Sequence, residues 1–162
     1  MQPIKIMPVG INDILGLRHR LLRPDRDEEE ARFTGDGLES TIHIGLFAGT
    51  KLAGCLSLFD QPNGIFDEKR QYQMRGLAVE KEFQRQGLGK ALVKYAEFLL
   101  LNRHIPFVWL NARTTARAFY EKLGYHTTGD EFDIYGVCKH IIMSKTIEEG
   151  ACACNNAENK TV

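Results

Sequence analysis

The chain of 162 residues predicts an α/β (α+β) fold with a mixed central sheet. Three observations carry that reading. Short strand-like segments recur along the chain, and a helical period takes over after Val79 and again after Thr115. The composition, 43% hydrophobic and 26% charged, is that of an ordinary globular protein. A chain of this length buries about two-thirds of its unfolded surface in one domain.

Ile4 to Val9 alternates as a first strand, and Asn12 to Leu22 carries Ile14, Leu15, Leu17, Leu21 and Leu22 near a helical period. Arg23-Pro24-Asp25 ends that helix, because proline disfavours helical backbone in the residue before it. A charged segment, Asp27 to Glu39, reads as a short helix and a loop. Thr41 to Ala48 and Lys51 to Phe59 flank Gly49-Thr50, a connection suited to a hairpin. Tyr72 to Val79 is a further strand. Leu88, Ala91, Leu92, Tyr95, Ala96 and Leu99 then share one face of a long helix. Ile105 to Leu110 is a buried strand with Pro106 near its start. Thr115 to Leu123 is a second clear helix, stopped by Gly124. Glu131 to Tyr135 and His140 to Ser144 form the last two strands, turning at Gly136. One domain therefore covers residues 1–147. The polar stretch from Glu148 to Val162 has no periodicity and is expected to be disordered.

Composition excludes several function classes. Lys plus Arg equals Asp plus Glu at 21 each, so no general nucleic-acid binder is expected. No apolar run reaches the roughly 18 to 20 residues that cross a bilayer. Met1 to Pro8 lacks the apolar core of a secretory leader, so a cytoplasmic protein is expected. Cys55, Cys138, Cys152 and Cys154 are spread too widely for a disulfide framework or a zinc site, and no metal is expected.

Chemistry concentrates at Gln84-Arg85-Gln86-Gly87-Leu88-Gly89-Lys90, between a strand and the long helix. The first-turn N–H groups of a helix lack internal partners and, with the helix dipole, attract anions. Gly87 and Gly89 allow phosphate oxygens close to the backbone, and Arg85 and Lys90 supply charge at the rim. A P-loop does not fit, because Gln84 replaces its first glycine and Ala91 its hydroxyl. A dinucleotide fingerprint does not fit either, because Leu92 stands where its third glycine is required.

Gln84, Gly87 and Gly89 instead match Gln/Arg-x-x-Gly-x-Gly/Ala, which resembles the pyrophosphate loop of the GNAT acetyltransferase superfamily. Arg75-Gly76-Leu77-Ala78-Val79-Glu80 is similar to that family's fourth strand, and Ala116 to Tyr125 to its closing helix and turn. His140-Ile141-Ile142-Met143-Ser144-Lys145 resembles the final strand of many bacterial members. The likeness spans roughly Thr41 to Lys145. It implies a mixed, mostly antiparallel sheet of six to seven strands flanked by about four helices. It also implies transfer of an acetyl group from acetyl-CoA to an amine by direct attack in a ternary complex.

On this resemblance Gln84 to Lys90 hold the cofactor, and main-chain groups of Leu77 and Val79 pair with its pantetheine arm as an added strand would. Leu77 or Ala78 is the expected oxyanion donor. Tyr120 is the expected general acid, because a phenol with an ordinary pKa near 10 keeps its proton at neutral pH. Some members carry a glutamate where this chain has Gln73, which takes no proton there. Either an ordered water relays the proton, or Glu80, Asp133 or His140 serves as base. Gln73 and Arg75 lie two apart on one strand face, where they can line the acceptor site, although Arg75 fits an exposed position equally well. Arg113 stands where many members have a cofactor-contacting asparagine, with Asn111 two residues earlier. It either pairs with a CoA phosphate or points to solvent.

His43, His104 and His126 read as surface or loop residues. Asp27-Glu28-Glu29-Glu30 reads as a solvated helix start, or as an attractor for a cationic acceptor. The acceptor itself is open: a small molecule or a peptide amine, with polyamines and aminoglycosides included. Its pocket is expected from Arg23 to Gly37, the loop after Phe59 and the turn Tyr135 to Lys139. A homodimer is compatible with exposed sheet edges, and a catalytically silent acyl-CoA-binding domain is the alternative to an enzyme.

Overall fold

The computed structural model describes residues 2–134, 136 and 138–148. The stretch expected to be disordered, with Cys152 and Cys154, lies outside the described residues except at Glu148. The elements are β1 (Ile4–Val9), α1 (Ile11–Leu22), β2 (Ile42–Ala48), β3 (Lys51–Phe59) and β4 (Gln71–Val79). They continue with α2 (Leu88–Asn102), β5 (Phe107–Arg113), α3 (Arg117–Lys122), β6 (His126–Ile134) and β7 (Cys138–Thr146). A mixed seven-stranded sheet runs in the order β1-β2-β3-β4-β5-β7-β6, and among the described residues every pairing is antiparallel except β4 with β5. That parallel pair requires the crossover that α2 provides.

The sheet divides the core unequally. Alternate residues Ile42, Ile44 and Leu46 of β2, with Leu56 and Leu58 of β3, pack with Leu92, Val93, Ala96 and Leu100 of α2. Fully burying each such aliphatic side chain contributes about 1.5–3 kcal/mol. The opposite face has a smaller cluster of Ile14 and Leu17 on α1 with Cys55 and Ala78. The rest of that face is polar, and there the site forms.

Glu97 is the one charge within the α2 face of the core among its buried residues. The Tyr125 hydroxyl donates to it at 3.0 Å, and Lys145 Nζ donates to both its oxygens at 3.0 and 3.1 Å. Lys145 Nζ also reaches the Leu123 carbonyl at 2.8 Å, tying the end of α3 to β7. Desolvation lowers the pKa of Lys145 against the opposing pull of Glu97.

The short helix expected after Asp27 is the single 3₁₀ turn Glu28–Ala31, followed by a loop. Two expected features differ. β6 starts at His126 rather than Glu131, because a register shift between Thr128 and Phe132 interrupts the alternation that marks a strand. His43 is no surface residue. It is buried on β2, on the face that α1 and the segment to Asp36 cover, where its ring nitrogens reach Ser57 and the Asp36 carbonyl.

Candidate active site

β4 and β5 are in register only from Gln71↔Phe107 to Gln73↔Trp109. Beyond that point they diverge. A bulge in β4 accompanies the divergence: Ser57 lies opposite Arg75 and Cys55 opposite Ala78, so Leu56 alone faces Gly76 and Leu77. Gly76 takes φ +70°, and a Cβ there would stand 3.0 Å from the Phe33 ring. Only glycine meets both conditions without strain. Past Gln73, the β4 edge has no ladder partner in β5, leaving backbone groups directed at the split.

A cavity of about 290 Å³ opens in this split. It is lined by Gln73, Arg75 and Leu77 of β4, Asn111 and Arg113 of β5, Tyr120 of α3 and His140 of β7. A second cavity of about 680 Å³ lies at the start of α2, lined by Val79, Gln84, Arg85, Gly87, Leu88, Gly89 and Lys90. Leu77, Ala116 and Phe119 line both, so the two cavities share a wall. Among the expected cofactor residues, Ala78 and Gln86 line neither. Ala78 packs under α1, and Gln86 Nε2 turns back to donate to the Glu82 carbonyl at 3.2 Å.

The loop before α2 is shaped for main-chain recognition. Arg85 and Gly87 take φ +59° and +78°, alternating left-handed backbone of the kind that turns successive N–H groups toward one point. The Ala91 N–H bonds the Gly87 carbonyl at 3.0 Å, so the N–H groups of Leu88, Gly89 and Lys90 precede any helical partner. No atom lies within 4 Å of where a Gly87 Cβ would stand. Gln84 Nε2 donates to the Val79 carbonyl at 2.9 Å and fixes the loop to the end of β4.

Tyr120 and His140 both face the first cavity. Tyr120 is 7% exposed, its ring edge-on to Phe119 and Tyr125 at 5.0 and 5.6 Å. Burial pushes its phenol above the ordinary value, so the proton stays on. His140 is 5% exposed, and its Nδ1 lies 2.7 Å from the Cys138 carbonyl. A carbonyl only accepts, so Nδ1 carries a proton, and the neutral ring has its lone pair at Nε2. The other two base candidates are elsewhere. Glu80 is paired with Arg20 at 2.7 Å, and Asp133 is exposed on β6.

The opposite wall includes the expected segment Arg23 to Gly37, but the network that holds it was not legible. Arg18 is fully buried on α1, bonded to Asp36 Oδ2 at 2.7 Å, Ser57 Oγ at 2.9 Å and the Ala31 carbonyl at 3.1 Å. The Asp36 carbonyl only accepts, so His43 Nε2 donates to it at 2.9 Å, and in the neutral ring Nδ1 then accepts the Ser57 hydroxyl proton at 2.8 Å. Ser57 is wholly buried, so this serine–histidine pair is structural and no nucleophile. The network pins the segment from Ala31 to Asp36, and Asp36 Oδ2 also caps the Phe33 N–H at 2.7 Å. Phe33 is thereby held beside Arg75, whose guanidinium lies 4.2 Å from the ring centre. Arg75 is accordingly half-buried rather than an exposed sheet residue. Arg113 is exposed at the end of β5 and lines this cavity, away from the α2 loop. A buried arginine on the apolar stripe of α1, with a serine inside the apolar run of β3, was the signal available in the sequence.

No helix among the described residues is long and apolar enough to cross a membrane. The sequence matches the Acetyltransferase (GNAT) family over residues 11–125. It is 33% identical over 144 residues to YitI of Bacillus subtilis (strain 168), described as an uncharacterized N-acetyltransferase, over 89% of this chain and 97% of that one. The fold is shared with the ribosomal-protein-S18-alanine N-acetyltransferase from Escherichia coli, at TM-score 0.70 and 22% identity over 94% of this chain and 99% of that one. It is shared as well with an aminoglycoside 6'-N-acetyltransferase complexed with coenzyme A, at TM-score 0.67 and 20% identity over 89% and 97% of the two chains. With the split sheet, the glycine loop and a family match across most of its length, the chain belongs to the GNAT acetyltransferase family.

Proposed function

We infer that the protein is an acetyl-CoA-dependent N-acetyltransferase acting on a primary amine in a ternary complex. The observation that carries this reading is the shared wall of Leu77, Ala116 and Phe119, which joins an anion-shaped loop to a cavity holding an acid and a base. Acetyl-CoA supplies the acetyl group as an activated thioester.

The residues present fit that donor. The free N–H groups of Leu88 to Lys90, the open space at Gly87 and the charges of Arg85 and Lys90 suit a pyrophosphate. The β4 edge from Leu77 to Val79, which has no partner strand in β5, suits an amide-bearing arm laid alongside it. Asn111 and Arg113 face the acceptor cavity instead. An N–H of Leu77 or Ala78, beside the bulge, donates to the carbonyl oxygen as it gains charge.

The amine enters on the α1 side, beside Gln73 and Arg75. His140 Nε2 accepts its proton as the carbon–nitrogen bond forms, which answers the loss of a carboxylate at Gln73. The carbon–sulfur bond breaks, and the Tyr120 hydroxyl gives its proton to the departing sulfur. Gln73 orients the amine by hydrogen bonding and takes no proton.

Thiol release from acetyl-CoA across an amine panel tests the reading, with wild type, Tyr120→Phe and His140→Gln in parallel. Each variant is expected to lose about 100-fold or more in kcat while still binding CoA. Full activity in Tyr120→Phe would remove the acid assignment. CoA binding without turnover on any amine would favour a silent acyl-CoA-binding domain.

A further inference from the structure

The acceptor cavity is cationic in a protein with no net charge. Arg23, Arg75 and Arg113 all line it, and no aspartate or glutamate among the described residues does. None of the three forms an ion pair with a carboxylate of the described residues. Asp36, near Arg75, is already bound to Arg18, and Glu30, near Arg23, is paired with Arg26. Arg23 Nη1 is held by the Glu30 carbonyl at 2.9 Å, which fixes its direction without neutralising it.

The three guanidinium groups are also arranged. Phe33 carries Arg18 at 4.0 Å, Arg75 at 4.2 Å and Arg23 at 5.4 Å from its ring centre, and Phe59 adds a second contact to Arg75 at 5.5 Å. Arg113 comes from across the split, directly opposite His140 in the β5–β7 ladder. Burial first, and then repulsion from Arg18 and Arg23, lowers the pKa of Arg75. Unpaired, half-buried like charges oppose folding, and an incoming anion relieves that cost. Stacked arginines of fixed direction suit the oxygens of a carboxylate or a phosphate.

The acidic run offered by the sequence as an attractor for cations does not reach the cavity. Glu29 is paired with Arg32 at 2.7 Å and Glu30 with Arg26 at 3.9 Å, and neither lines it. The volume of about 290 Å³ suits a small metabolite.

We propose that the acceptor is a small amine carrying an anionic group, whose oxygens dock on Arg75, Arg23 and Arg113 while its amine faces His140. Polycationic amines are excluded by the same three charges. This rests on the acetyltransferase reading, and the test separates the two.

Thiol release is measured for acceptor pairs differing in the anion: an α-amino acid against its amide, and O-phosphoethanolamine against ethanolamine, with spermidine as the polycation. In parallel, succinate and inorganic phosphate are titrated into the CoA-bound protein. One anionic member is expected to exceed its neutral partner by about tenfold or more in kcat/KM, with spermidine inert. Succinate or phosphate is expected to bind, about tenfold or more weaker in Arg75→Ala and partly restored in Arg75→Lys. Arg113→Ala, at an exposed position, gives the same direction of effect should Arg75→Ala fold poorly. Spermidine or neutral amines outperforming the anionic ones would overturn the proposal. So would the absence of anion binding in both titrations. Anion binding lost in Arg75→Ala, with no turnover on any amine, would keep the anion site and remove the acetyltransferase reading.

Discussion

On the proposed function, the two ends of the split sheet meet their ligands by different means. The α2 end offers main-chain N–H groups on one contiguous loop, Gln84 to Lys90, where side chains matter mostly by being absent at Gly87 and Gly89. The α1 end offers side chains brought from α1, the Phe33 segment, β4, β5 and β7. A donor common to a family suits the first arrangement, because backbone geometry tolerates sequence drift. An acceptor particular to one protein suits the second, because exchanging a few side chains changes it without touching the loop.

The comparison breaks most readily at the buried ion pair. Asp36→Ala leaves Arg18 charged and buried without its partner, and is expected to cost about 3–5 kcal/mol in urea unfolding. At temperatures where the variant is folded, CoA affinity should be unchanged and acceptor KM raised. A loss well under 1 kcal/mol would mean that the network does not hold the acceptor wall.

Gly76→Ala comes next. A side chain at φ +70° costs about 1–2 kcal/mol, and its Cβ pushes on Phe33. Because that residue lies at the bulge, acceptor KM is expected to rise more than the KM for acetyl-CoA. The reverse order would mean that the bulge serves the donor alone.

Gln84→Ala removes the 2.9 Å bond to the Val79 carbonyl, worth about 1 kcal/mol. Titration of CoA should read this as roughly fivefold weaker binding, with acceptor KM untouched.

The smallest effect at neutral pH concerns Cys55. Burial pushes its thiol up to about 12. The folded pKa is raised above the unfolded value of about 8.5, so no stability is lost below that pH, and stability falls as pH rises from there toward 12. The buried phenols of Tyr120 and Tyr125, also raised, add to the loss at higher pH. Iodoacetamide with mass mapping should label exposed Cys138 in the folded protein and Cys55 only on unfolding.

Legibility in the sequence followed the same division. The strands β1 to β4 and the helix α2 were readable because alternation and the 3.6-residue period report directly on a buried face. The glycine loop was readable because a turn that opens a helix marks itself by glycine at fixed spacing. The helix bearing Tyr120 was readable through its stop at Gly124. The proposed acceptor wall was readable only coarsely, as the segment Arg23 to Gly37 and as Gln73 and Arg75 on one strand face. That Arg23 and Phe33 are the side chains of that segment that line the cavity, and that Arg113 joins them, was not readable, because the segment has no periodicity. His43 was misread because the β2 face opposite Ile42, Ile44 and Leu46 is polar, and a polar face reads as solvated. Here α1 and the Phe33 segment cover it, and hydrogen bonds replace water. His140 could be named among candidate bases, but choosing it over Glu80 and Asp133 required seeing which group faces the cavity.

Titration of CoA into wild type, Gly87→Val and Arg75→Ala tests the division between the two ends most directly. A valine at φ +78° and within the anion loop is expected to weaken CoA binding by about tenfold or more. Arg75→Ala is expected to bind CoA within about twofold of wild type, since its place is the acceptor wall. CoA affinity lost in Arg75→Ala and preserved in Gly87→Val would contradict the account.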